Sequence, residues 1–179
     1  MIRLNVKGLK EERGRQDHYD LDVSLPELDS SEGQVSFAGT PDIHVDITNT
    51  GMCLLVTGSI DTSVNTKCAR CLASFKYPVH ADLFETYYDK EKGLSQNAEE
   101  GEDYVPYSGD EIDIQPEVLK AIILAMPIRA LCSEQCKGLC PQCGCNRNVK
   151  ECDCREEIVD SRMAKLKELL KRGEKNGGS

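Results

Sequence analysis

Apolar and polar residues alternate along most of the first ninety positions, which is the pattern of β-strands with one buried face. The alternation is clear in residues 2–8 and 19–25, and it is most regular over 43–88, where four such runs follow one another. Residues 49–51 (Asn-Thr-Gly) separate the first two of these runs and predict a tight turn. Runs of period two that are joined by short turns predict an antiparallel meander or a partly open barrel.

Two later stretches have the helical rather than the strand period. Residues 115–126 have Pro116 near their start and only Lys120 as a polar residue from 118 to 126, so we expect a helix that is almost wholly buried against the sheet. A second helix is predicted over residues 160–172, where apolar residues recur every three or four positions among basic ones. Strands followed by these helices make the expected fold class α+β.

The acidic residues are unevenly distributed and help to divide the chain. Residues 89–111 are acidic and poor in apolar side chains, which predicts a loop. The net charge is −9, yet residues 129–179 carry 11 basic and 8 acidic residues and are the one basic part of the chain. We therefore expect an antiparallel β domain over 1–131, which includes the acidic loop and the helix over 115–126. A cysteine-rich segment with a basic C-terminal helix, 132–179, should pack on the same domain.

The chain contains ten cysteines, most of which are candidate metal ligands. Cys68 and Cys71 form a C-x-x-C between two predicted strands, and Cys53 stands alone within another strand. The remaining seven lie close together in the sequence; they are Cys132, Cys136, Cys140, Cys143, Cys145, Cys152 and Cys154. Residues 140–144 read Cys-Pro-Gln-Cys-Gly, which is the form of a zinc knuckle.

The cellular compartment decides between metal ligands and disulfides. The N-terminal residues contain no apolar run typical of a signal peptide, and no stretch reaches the length of a membrane span. We therefore expect a cytoplasmic protein with no membrane association, in which clustered thiols stay reduced and hold metal. The alternative is a thiol redox or metal-handling protein that uses Cys145 or the pair Cys68 and Cys71.

Four thiolates around one ion suit zinc, so the cysteines can be divided into one or two Zn²⁺ sites. In one division Cys68 and Cys71 join Cys132 and Cys136, and a second site takes Cys140, Cys143, Cys152 and Cys154, leaving Cys145 and Cys53 free. In the other, Cys68 and Cys71 join Cys140 and Cys143. An iron–sulfur cluster also uses four thiolates, but the knuckle favours zinc.

The histidines do not add to these candidate sites. His18, His44 and His80 lie away from the cysteine-rich stretch, and none has ligand spacing with another. Closed sites made only of sulfur are the structural type of zinc site, whereas catalytic zinc keeps an open position. We therefore expect neither an enzyme nor a small-molecule substrate.

Three motifs occur together in this chain: Cys-Ala-Arg-Cys-Leu at 68–72, Cys-Lys-Gly-Leu-Cys-Pro-Gln-Cys-Gly at 136–144, and Cys-Asp-Cys at 152–154 followed by Asp-Ser-Arg-Met-Ala-Lys-Leu at 160–166. In this combination they resemble the YceD family of bacterial proteins. The resemblance implies a metal-binding factor for accumulation of large-subunit ribosomal RNA, without enzymatic activity. The chain departs from the usual family pattern at Cys145, an additional thiol, and at Arg147, where Leu is usual.

The expected function is therefore that of a non-enzymatic zinc-binding factor in ribosome biogenesis. Its partner would be ribosomal RNA or a ribosomal protein. Candidate RNA-contacting residues are the basic ones in and after the cysteine-rich stretch: Lys137, Arg147, Lys150, Arg162 and Lys165. The net charge of −9 argues against strong nonspecific binding to RNA, which makes a protein partner equally credible.

Overall fold

The computed structural model describes residues 1–30, 33–92 and 104–154. Within these ranges the chain forms nine strands and two helices. In chain order they are β1 Arg3–Asn5, α1 Lys7–Glu11, β2 Gln16–Asp22, β3 Leu28–Ser30, β4 Gly33–Phe37, β5 Asp42–Asn49, β6 Leu54–Lys67, β7 Ser74–Asp89, β8 Tyr104–Tyr107, β9 Glu111–Asp113 and α2 Gln115–Ala125. The chain divides into two compact units, and the boundary follows Cys136.

The main sheet is built around a meander of β5, β6 and β7. Strand β6 pairs with β7 along all fourteen of its residues, and its other edge is shared between β5 and β4. Strand β2 extends the sheet beyond β5, and β3 extends it beyond β4. The described strands do not close into a barrel, and β8 pairs with β7 in parallel, so the predicted antiparallel meander is confirmed only for β5–β7.

A buried asparagine fixes the turn between β5 and β6 at the position that the sequence predicts. The side-chain amide of Asn49 donates hydrogen bonds to the carbonyl oxygens of Leu9 (2.7 Å) and Glu12 (3.1 Å). Its side-chain oxygen accepts the backbone N–H of Gly51 at 2.8 Å. Gly51 has a φ of 99°, a conformation that glycine adopts without steric cost.

The core lies on one face of the sheet, where the alternating strand positions place aliphatic side chains. On β5 these are Ile43, Val45 and Ile47, all fully buried, and β6 adds Val56 and Ile60. The opposite face of these strands carries polar residues such as His44 and is at least partly exposed. Two-faced strands of this kind keep the register fixed, because a slip of one residue would expose the whole apolar set.

Helix α2 covers part of the core but is less buried than its sequence predicts. Val118 and Ile122 are fully buried, whereas Ile123 and Leu124 are 46% and 75% exposed. A helix that lies on a sheet can bury only one side, so the expectation of near-complete burial is wrong. In the described part of the chain, no helix is both long and apolar enough to cross a membrane.

The predicted acidic loop is shorter than residues 89–111. Strand β7 continues to Asp89, and residues 104–107 form β8 along its end. Tyr107 of β8 belongs to the core, which explains why this part of an acidic stretch is ordered into the sheet. Residues 93–103 of the predicted loop and the predicted helix over 160–172 lie outside the described residues.

Candidate metal centres

The first C-x-x-C lies at the tip of the β6–β7 hairpin, as the flanking strand patterns predict. Strand β6 ends one residue before Cys68, and β7 begins directly after Ala73. The backbone N–H of Leu72 donates to the carbonyl oxygen of Cys68 at 2.9 Å, and the N–H of Cys68 donates to Ala73 at 2.9 Å. These bonds curl the turn so that the thiols of Cys68 and Cys71 point to the same side.

Two further cysteines, from the segment after α2, complete a group of four. The sulfur atoms of Cys68 and Cys136 are 3.8 Å apart, and those of Cys71 and Cys132 are 3.7 Å apart. All four sulfur atoms lie within 4.8 Å of one another. These four residues are called the first thiol cluster below.

The sulfur separations in the first thiol cluster match a tetrahedral zinc site. Four thiolates at a Zn–S distance of ~2.3 Å lie about 3.8 Å from one another at the corners of a tetrahedron. A disulfide would instead require a separation of about 2.05 Å, and none of the ten cysteines forms a disulfide. The donor set is therefore one that zinc would fit, and Cys68 and Cys71 are grouped as in the first of the two divisions.

Three of the four residues of the first thiol cluster are buried, and the fourth, Cys132, is exposed. Cys68, Cys71 and Cys136 are at most 6% exposed, and Phe75 and Leu131 pack against them. Low solvent access strengthens the attraction between thiolates and a bound cation. The same burial makes the pair Cys68 and Cys71 poorly placed to attack a large disulfide substrate.

Arg70 joins the two chain segments that supply the first thiol cluster. Its guanidinium nitrogen Nη1 donates to the carbonyl oxygens of Glu134 at 3.1 Å and Cys136 at 3.2 Å. The backbone N–H of Ala69 adds a bond to the carbonyl oxygen of Ala130 at 2.9 Å. The middle residues of the C-x-x-C thus hold the backbone of the other two ligands in place.

The pKa values of two thiols in the first thiol cluster explain why a bound cation would be favourable there. Burial opposes ionisation of Cys68, but backbone N–H groups of Cys132, Cys71 and Arg70 outweigh it and lower the pKa of Cys68 to about 6. The hydrogen bond between the two thiols, together with burial, raises the pKa of Cys132 to about 12. Cys68 therefore ionises readily whereas Cys132 keeps its proton, so ionisation of both thiols requires a compensating positive charge.

A second group of thiols surrounds the knuckle at residues 140–144. The backbone N–H of Gly144, which has a φ of 70°, donates to the carbonyl oxygen of Cys140 at 2.9 Å. The N–H of Cys140 donates in turn to the carbonyl oxygen of Cys145 at 2.8 Å. The sulfur atoms of Cys140, Cys143, Cys145 and Cys152 all lie within 4.8 Å of one another.

With Cys154 the group contains five thiols and is called the second thiol cluster below. Its members are Cys140, Cys143, Cys145, Cys152 and Cys154. The thiol of Cys154 hydrogen-bonds to those of Cys143, Cys152 and Cys140, and the first of these bonds contributes most to raising the pKa of Cys154 to about 12. Backbone hydrogen bonding from Cys145 is the main cause that lowers the pKa of Cys143 to about 6. The first of the two predicted divisions leaves Cys145 free, whereas the structure groups it with the candidate ligands Cys140, Cys143 and Cys152.

Three of the five candidate RNA-contacting residues lie in the described part of the unit that contains the second thiol cluster. Lys137 and Lys150 are exposed, and Arg147 is half-buried. The Nζ of Lys137 lies 3.8 Å from a carboxylate oxygen of Glu151. Arg162 and Lys165 lie outside the described residues, so their placement stays a prediction.

A third polar group, which the sequence does not reveal, lies on the exposed face of β2 and β5. Antiparallel pairing sets His18 opposite Asp46 and Asp20 opposite His44. The ring nitrogens of both histidines contact Asp20 Oδ1. The sequence interpretation, that no histidine has ligand spacing with another, is wrong for His18 and His44, because strand register brings together residues 26 positions apart.

Comparison with known proteins bears directly on both thiol clusters. A sequence model described as "Large ribosomal RNA subunit accumulation protein YceD" matches residues 56–170. The chain belongs to the YceD family. Both thiol clusters fall within the matched range, whereas His18, Asp20 and His44 precede it.

Individual relatives of the chain come from bacteria and plants. An uncharacterized protein of Mycobacterium tuberculosis is 35% identical over 130 residues, which cover 72% of this chain and 60% of the relative. Two chloroplastic proteins named large ribosomal RNA subunit accumulation protein YCED homolog 1 are also similar. The one from Arabidopsis thaliana is 28% identical over 78% of this chain and 52% of its own length, and the one from Zea mays is 26% identical over 94% and 66%. No solved structure matches the chain.

Proposed function

We propose that this YceD-family chain is a zinc-binding, non-enzymatic factor that supports accumulation of large-subunit ribosomal RNA. The observation that carries the proposal is the presence of two groups of at least four thiols within the part of the chain that matches the family. The names of the two plant relatives support the link to ribosomal RNA. The chain spans about 60% of the mycobacterial relative, so the role of that longer protein is not carried over.

In this proposal the zinc ions are structural. The first site would be formed by Cys68, Cys71, Cys132 and Cys136, which leaves no position for a substrate. The second would take Cys140, Cys143 and Cys152 with either Cys145 or Cys154. Closed sulfur sites of this kind contribute folding energy directly, because the unfolded chain cannot present four thiolates together.

RNA is the proposed direct partner, through the unit that contains the second thiol cluster. Lys137, Arg147 and Lys150 supply positive charge there, and the sequence places Arg162 and Lys165 further along the same basic part of the chain. Residues 1–128 carry 11 basic and 23 acidic residues and would repel phosphates. Binding should therefore involve few phosphate contacts and depend only modestly on salt.

Metal content is the test of the zinc sites. The chain purified without added metal should contain two zinc ions by inductively coupled plasma mass spectrometry. Cys68→Ser and Cys140→Ser should each reduce this to one, since each removes a ligand from a different site. Iron with inorganic sulfide, or zinc content that neither substitution changes, would overturn the assignment.

Ultraviolet cross-linking in cells tests whether the protein contacts RNA directly. Depletion of the protein tests its role in accumulation of large-subunit ribosomal RNA. Depletion should lower large-subunit ribosomal RNA relative to small-subunit ribosomal RNA; an unchanged ratio would refute the role. Lys137→Glu combined with Lys150→Glu should reduce cross-linked RNA, whereas the matched reversals Lys67→Glu and Lys76→Glu on the exposed β6–β7 hairpin should not. Recovery of a ribosomal protein without RNA would refute RNA as the direct partner.

A further inference from the structure

The exposed face of the sheet carries a compact group of metal-ligating side chains at the β2–β5 pair. His18 and Asp20 lie two residues apart on β2 and therefore project from the same face, and His44 lies opposite Asp20 on β5. His18 and His44 are 54% and 45% exposed. Pairing of two regular strands fixes the positions of their backbones.

The donor atoms of these three side chains converge. Nε2 of His18 lies 3.0 Å from Oδ1 of Asp20, and Nδ1 of His44 lies 2.5 Å from the same oxygen. The three donor atoms are all within 4.8 Å of one another. The two imidazole rings are stacked, with centroids 6.4 Å apart and an angle of 11° between their planes.

The ring nitrogens that face away from Asp20 are held by further carboxylates. Nδ1 of His18 contacts Oδ1 of Asp46 at 2.9 Å, and Nε2 of His44 lies 3.3 Å from Oδ1 of Asp42. A carboxylate behind a metal-bound histidine fixes its tautomer and orientation and makes the ligating nitrogen more basic. Both histidines have such a partner.

The charge and space around the group also suit a cation. The outward-facing positions of β2 also include Asp22, a further carboxylate near the group. Among the described outward-facing positions of β2 and β5 there is no Lys or Arg. A hollow of about 290 Å³ adjoins Asp20 and is also lined by Asp22 and Asp42. The hollow is lined by Asp20, which both histidines contact, but by neither histidine.

We propose that His18, Asp20 and His44 form a binding site for a divalent transition-metal ion on the outer face of the sheet. Two imidazoles and one carboxylate suit zinc, nickel or cobalt better than calcium or magnesium, which prefer oxygen ligands. Three ligands on an exposed surface make an open, exchangeable site, unlike the closed thiol clusters. The site precedes residues 56–170, the range that the family model matches.

Nickel titration of the untagged, full-length chain tests the site. The chain is first loaded with zinc at its thiols and freed of excess metal, then titrated with Ni²⁺ by isothermal calorimetry near neutral pH. One equivalent of nickel should bind without release of zinc, which is followed with a colorimetric chelator. His18→Ala, His44→Ala and Asp20→Asn should each weaken binding at least tenfold.

His80→Ala is the matched control. His80 lies on the same face of the sheet and contacts Asp61 and Asp82, but its ring nitrogens do not meet the donor atoms of His18 and His44. Its substitution should leave nickel affinity within twofold of the original. The proposal is overturned if no nickel binds, if nickel only displaces zinc, or if His80→Ala weakens binding as much as His44→Ala.

Discussion

The backbone N–H of Leu72 donates to the carbonyl oxygen of Cys68 at 2.9 Å, in the same bond that Gly144 makes to Cys140 at the other knuckle. Both residues follow the second cysteine of their C-x-x-C, and both have positive φ, 60° for Leu72 and 70° for Gly144. Glycine adopts this conformation freely, whereas a residue with a side chain loses roughly 1–2 kcal/mol. The backbone is therefore strained at Leu72, beside Cys68 and Cys71, but not at Gly144, the equivalent position beside Cys140 and Cys143.

Leu72→Gly should stabilise the zinc-loaded protein by roughly 0.5–1 kcal/mol, because it removes the strain at a modest cost in unfolded-state entropy. The side chain is 62% exposed, so little buried apolar area is lost. Urea unfolding measures the change. Leu72→Ala is the control and should show no gain, because alanine keeps the Cβ; equal stability of the Gly and Ala variants would contradict this account.

Cys145 and Cys154 should substitute for each other in the second thiol cluster. Cys145→Ser and Cys154→Ser should each keep two zinc ions per chain, because whichever of the two remains can complete the site with Cys140, Cys143 and Cys152. The double substitution should lose one zinc, as should Cys152→Ser alone. Metal content by mass spectrometry gives the result, and loss of zinc from just one of the two single variants would identify that cysteine as the dedicated ligand.

Arg70→Ala should weaken zinc binding at the first thiol cluster about tenfold. The substitution removes two charge-assisted hydrogen bonds to the backbone beside Cys136, worth roughly 1.5 kcal/mol in total after solvent exposure is allowed for. Competition with a zinc chelator measures the affinity. Arg15→Ala, which removes an exposed arginine elsewhere, is the control; equal affinities in the two variants would argue against a role for Arg70.

Stability should depend on pH through His80. Its hydrogen bond with Asp61 is the main cause that raises its pKa above the usual 6.5, so the folded state favours the protonated ring. The resulting stabilisation is complete below about pH 6.5 and disappears as the pH rises through the folded-state pKa. In urea unfolding, His80→Gln should therefore lower the free energy of unfolding at pH 5.5 and leave it unchanged at pH 9. A larger loss of stability at pH 9 than at pH 5.5 would contradict a raised pKa of His80 in the folded state.

The features that the sequence predicts correctly depend on local patterns. Alternating residues on both sides of Cys68 and Cys71 predict a hairpin with the motif at its tip, because neighbouring runs joined by a short turn usually pair. The turn at residues 49–51 follows from the same reasoning. The bounds of α2 agree with prediction because Pro116 and Pro127 mark its ends.

The features that the sequence does not reveal depend on distant contacts. The meeting of His18 with His44 requires both the pairing of β2 with β5 and its register, and neither can be read from the spacing of two residues. Cys145 joins the second thiol cluster because the chain turns back along residues 139–146, which a count of cysteines does not show. The exposed side of α2 similarly depends on what packs around it rather than on its composition.

The two thiol clusters differ in how far apart their ligands lie along the chain. Cys68 and Cys136 are 68 residues apart, whereas the second cluster uses residues 140–154 alone. A cross-link over some sixty residues restricts an unfolded chain by roughly 4 kcal/mol, compared with roughly 3 kcal/mol for about fifteen. The first cluster can hold metal only once β6 and β7 have paired and the segment after α2 has reached the tip of their hairpin, whereas the second needs only its own short segment to close. Metal binding at the first cluster would therefore stabilise a tertiary structure that has already formed, rather than start its formation.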